Sequence, residues 1–69
     1  MTPSWYQRPL RLGDQGQDVL AVQLHLRAEP TGYYDEDTAR RVRGYRAIRK
    51  LPIRSDVDER LAAELGELR

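Results

Sequence analysis

The chain contains no cysteine, which excludes a disulfide framework and any thiolate metal site. A single histidine, His25, cannot assemble a zinc site alone. No apolar run approaches the roughly 18 residues of a membrane-spanning helix. The opening MTPSWYQRPLRLG has no signal-peptide core, so synthesis in the cytoplasm is expected. Charge of one sign is also scarce, since 12 Lys and Arg against 11 Asp and Glu leave +1. Such a balance makes no global case for a polyanion partner. A core in a domain of 69 residues seldom supplies more than ~3–5 kcal/mol. With 39% hydrophobic and 33% charged residues, the chain must be compact and helical or gain stability by docking. Neither a metal nor a cofactor is expected.

What is present is helical patterning. Residues 1–12 carry Pro3, Pro9, Trp5 and Tyr6 without periodicity and read as an extended N-terminal arm, leaving 13–69 as the folded domain. Gly13-Asp14-Gln15-Gly16 is turn chemistry, in which Asp14 can bond amides ahead of it. A first helix is expected over about Gln17–Arg27, with Val19, Val22 and Leu26 on one face and Gln23 among them. Pro30 and Gly32 end it. A second helix runs to about Lys50, capped by Asp35, with Thr38, Val42, Tyr45 and Ile48 as its inward stripe. Pro52 stops it. A third spans about Asp58–Leu68 with Leu61, Leu65 and Leu68 inward. YDEDTARRV (34–42) and VDERLAAEL (57–65) echo one another as an apolar residue tucked before an aspartate-capped helix. The predicted fold is all-α, a compact three-helix domain built on a repeated turn–helix unit.

The stretch LRLGDQGQDVLAVQLHL resembles the opening of the small peptidoglycan-binding domain found beside bacterial and phage wall hydrolases. Gly13, Gly16, Val19, Val22, Gln23 and Leu26 match its first helix in register. Gly32, Tyr34, Thr38, Val42, Tyr45, Leu51 and Pro52 fall in step with its second unit. The chain departs from that pattern at Thr31, Asp35, Arg41, Arg46 and Lys50, and its loop between the first two helices is shorter. The resemblance implies a non-catalytic module whose partner is peptidoglycan. Lacking an export signal, a wall binder of this kind points to a phage product acting after lysis or within a virion. The alternative is a small structural or decoration protein of a phage capsid or tail, reusing the fold to dock on a larger protein assembly.

Several residues then carry specific expectations. Gln23 is structural, because an unpaired buried amide costs ~1–3 kcal/mol and turn backbone is its natural partner. Asp35 and Asp58 are likewise structural, as helix caps. Clusters of carboxylates at 35–37 and 56–59 could be read as a hydrolytic pair, but capping and dipole compensation explain them. No nucleophile lies near His25 in sequence, so binding rather than catalysis is expected. Arg43, Arg46 and Lys50 project together at helical spacing, either as a solvated face or as a surface for anions such as stem-peptide carboxylates. Nucleic acid is disfavoured, since no aromatic is interleaved among them. Arg41 and Arg49 are expected to lay their stems along the apolar stripe. Leu20 and Leu24 lie off the inward face of the first helix and need a cover. Either the arm brings Trp5 and Tyr6 over them or another protein docks there with Trp5 as an anchor.

Overall fold

The computed structural model describes residues 2–66 and is all-α. Its helices are α1 (Gln17–His25), α2 (Glu36–Ile48) and α3 (Glu59–Gly66). Among the described residues no β-strand forms, and only two isolated antiparallel bridges, Leu10–Val57 and Gln15–Tyr33, occur. No described helix is long and apolar enough to cross a membrane.

The helix starts follow local chemistry. Gly16 precedes α1 at φ 143°, a region that disfavours side chains, and a Cβ there would meet Asp18 Oδ1 at 2.8 Å. Asp14 accepts a hydrogen bond from the Arg11 amide behind it, so it tightens the preceding turn rather than bonding amides ahead. α2 and α3 begin alike. Asp35 accepts from the Thr38 amide and Asp58 from the Leu61 amide, each at 2.9 Å, which satisfies one orphan donor at each helix start.

Two helix ends are also alike. Beyond α1, Arg27 N–H bonds Leu24 and Ala28 N–H bonds Gln23; beyond α2, Lys50 N–H bonds Ala47 and Leu51 N–H bonds Arg46. This pairing of carbonyls is the Schellman arrangement. Its left-handed residue is Arg27 (φ 58°) in one case and Lys50 (φ 61°) in the other. The pairs Gln23/Arg46, Arg27/Lys50, Ala28/Leu51 and Tyr34/Val57 all share the spacing that separates Asp35 from Asp58. The echo between 34–42 and 57–65 therefore extends backwards through α1 and α2.

The core gathers Val19 and Val22 of α1, Ala39 and Val42 of α2, and Leu61, Ala62 and Leu65 of α3, with Tyr34, Leu51 and Val57 from the connections. Leu10 joins them, fully buried, and exchanges both backbone hydrogen bonds with Val57 at 2.9 and 2.8 Å. The end of the N-terminal arm is thus packed into the core at Leu10. Leu68 lies outside the described residues.

One stripe needs correction. Ile48, expected inside, is 80% exposed, whereas Arg46 is only 2% exposed. The buried face of α2 is Thr38, Ala39, Val42 and Arg46, with Tyr45 at its border. α2 must face both α1 and the loop leading to α3. That loop carries backbone carbonyls needing donors, which Arg46 can supply and Ile48 cannot.

Candidate functional site

The Gln23 amide is fully buried and fully used. Nε2 donates to Tyr33 O at 2.8 Å and to Thr38 Oγ1 at 2.9 Å, with Thr31 Oγ1 sharing at 3.2 Å. Oε1 accepts from Gly32 N–H at 2.8 Å. The Thr38 hydroxyl in turn donates a hydrogen bond to Asp35 Oδ1, so the network runs from α1 through the loop to the cap of α2. These bonds from backbone and hydroxyl of Thr38 hold the Asp35 carboxyl below its ordinary range. Gln23 and Asp35 take the structural roles expected of them. Thr31, a departure from the resembling pattern, is absorbed into the same network through its hydroxyl.

Arg46 builds the corresponding joint one unit later. Its Nη2 and Nε donate to Asp56 O at 2.9 and 3.2 Å, and Nη1 reaches Pro52 O at 3.4 Å. Two half-buried carboxylates balance its charge, Asp58 at 3.5 Å and Asp56 at 3.9 Å. Burial pushes the Asp58 carboxyl up, but the Leu61 amide and the Arg46 and Arg54 charges outweigh it, so its pKa is lowered. Asp58 is therefore both cap and counter-ion. The expectation that Arg43, Arg46 and Lys50 form one basic surface is corrected, because Arg46 points inward to satisfy loop carbonyls. Arg43 and Lys50 remain exposed. Arg41 and Arg49 do not simply cover apolar surface; they pair with Asp37 at 3.0 Å and Glu64 at 3.2 Å.

The aromatic segment folds back. Trp5 and Tyr6 pack edge-on to one another against the core, and the Trp5 ring centroid lies 5.9 Å from that of His25. Leu20 is half-buried, but Leu24 stays 61% exposed. The structure thus brings Trp5 and Tyr6 onto the body of the domain without covering Leu24. A further tie joins this segment to α1. Arg8 Nε pairs with the buried Asp18 at 3.0 Å, and its Nη2 donates to Gln15 O at 2.7 Å.

Sequence reasoning missed the Arg8–Asp18 pair, the Arg46 joint and the Leu10–Val57 exchange. The signal for the second was present, since Arg46 follows Gln23 at the spacing of the echo. It also missed a groove beside α2, where Leu26, Tyr45 and Ile48 line a space of about 360 Å³ and Gly44 adds no side chain. Among the described residues, no group of His, Cys, Asp and Glu could hold a metal ion. No protein-family model matches the chain, and no curated protein is detectably similar to it.

Proposed function

We propose that this chain is a non-catalytic binding module of the peptidoglycan-binding type, phage-encoded and acting in attachment to cell wall. The observation that carries this reading is the Gln23 joint. The residues on which the resemblance rests depend on one another physically: Gln23 bonds Gly32 and Thr38, while Val19, Val22, Tyr34 and Val42 pack beneath. The aspartates of its two acidic clusters are used by the structure, Asp35 and Asp58 as caps and Asp37 and Asp56 as partners of arginines, which supports binding over catalysis. Exposed Arg43 and Lys50 supply cations for the free carboxylates of stem peptides. The test is co-sedimentation of the purified chain with purified sacculi at low salt. Pelleting is expected, weakened by the double charge reversal Arg43→Glu/Lys50→Glu. A chain that stays in the supernatant overturns the reading.

A second reading, a structural protein of a phage capsid or tail, is favoured by the exposure of Leu24 on a helix whose other leucine is half-buried. Here Leu24→Asp should leave the isolated chain folded and prevent its incorporation into particles.

A further inference from the structure

We propose that the groove between the C-terminal end of α1 and the outer face of α2 docks an acidic segment of a partner protein. This segment would seat an aliphatic side chain over Gly44 and set carboxylates against Arg27 and Arg41. The inference is independent of wall attachment.

Three features of the groove carry it. Its floor is made by the half-buried Leu26 and Tyr45, and the 80% exposed Ile48 stands as an apolar wall at its edge. In the middle of α2, Gly44 takes the place of a better helix former, and a Cβ added there would meet nothing within 4 Å. The missing side chain leaves a notch that nothing among the described residues fills. The rim is cationic, with Arg27 after α1 and Arg41 on α2, and no carboxylate among the described residues lines it.

Arg27 makes the charge argument specific. Among the described residues it has no ion pair, and it sits in the left-handed region at φ 58°. Its left-handed backbone belongs to the helix-ending turn, so what it offers a ligand is its exposed, unpaired guanidinium. Arg41 meets Asp37 through Nε, and Asp37 also serves Arg40, so the rim keeps net positive charge. An apolar floor between cations fits an acidic amphipathic segment. A second copy fits poorly. Its groove would be equally basic, so two such faces would repel.

The experiment is selection of a random peptide library on the wild-type chain and, in parallel, on Gly44→Leu. That variant plugs the notch while raising helix propensity, so its thermal midpoint should equal or exceed wild type. Peptides enriched on wild type alone should join Asp or Glu to Leu, Ile or Met. The strongest should bind Gly44→Leu about a hundredfold more weakly and Arg27→Glu about tenfold more weakly. In amide NMR it should shift Leu26, Gly44, Tyr45 and Ile48. Enrichment without acidic residues, equal binding to Gly44→Leu, or no enrichment above background overturns the proposal. So does movement of the same amides with the chain's own concentration, which would make a second copy the occupant.

Discussion

The joint around Gln23 and the joint around Arg46 occupy equivalent places in two successive turn–helix units, yet one is neutral and the other charged. The loops they serve explain the difference. The loop before α2 presents both a donor, Gly32 N–H, and an acceptor, Tyr33 O, and only an amide offers the complement of both. The loop before α3 presents to Arg46 the carbonyls of Pro52 and Asp56, and a guanidinium is a donor with no acceptor. Charge then enters as a by-product of needing donors. It brings a debt of desolvation that Asp56 and Asp58 offset. The lesson is that the polarity of a buried joint is set by the backbone it must satisfy.

Removing each side chain should test this comparison most severely. Arg46→Ala should cost about 3–5 kcal/mol, the usual loss when one member of a buried charged network is deleted. Gln23→Ala should cost about 2–4 kcal/mol for several buried hydrogen bonds. Urea unfolding monitored by circular dichroism measures both. If Arg46→Ala costs less than about 1 kcal/mol, water satisfies those carbonyls and the parallel between the joints fails.

A smaller effect separates the joints by pH. Asp58 has a lowered folded-state pKa, so its contribution is complete above the ordinary value of 3.8. It is lost as pH falls through the lower folded value. Asp58→Asn keeps an acceptor for the cap but removes the counter-ion. It should lower stability near neutrality and flatten the acid limb of the stability–pH curve. Gln23 itself does not titrate, and it reaches the lowered Asp35 carboxyl only through Thr38, so Gln23→Ala should reshape the acid limb less than Asp58→Asn does. An unchanged acid limb in Asp58→Asn would place the charge balance elsewhere.

The smallest expected effects lie at the helix ends. Arg27→Gly and Lys50→Gly should each stabilise by about 0.5–1 kcal/mol, as relief of left-handed strain exceeds the added chain entropy. Thermal midpoints read this directly. A loss of stability in either would show that its side chain contributes packing.

Gln23 was legible because an amide inside an apolar stripe stands out against the helical period. Its role followed from the cost of leaving it unpaired. Asp35 and Asp58 were legible because capping is local. Arg46 and Ile48 exchanged their expected places because side-chain polarity, read along one helix, does not reveal which carbonyls a distant loop leaves unsatisfied. The position of Arg46 relative to Gln23 held that information, whereas its chemistry concealed it. Leu10 was missed for a different reason. A single pair of exchanged backbone bonds leaves no period to read.

The two bonds that Leu10 exchanges with Val57 give this small domain a defined mechanical response. Tension applied at the N-terminal end meets the packed Trp5 and Tyr6 and the Arg8–Asp18 tie to α1, and then reaches that backbone pair. Just beyond, Gly13 and Asp14 clasp Tyr34, the counterpart of Val57 in the preceding unit. One short run of main chain therefore latches both units at corresponding points, and a pull that frees it would loosen the pair together.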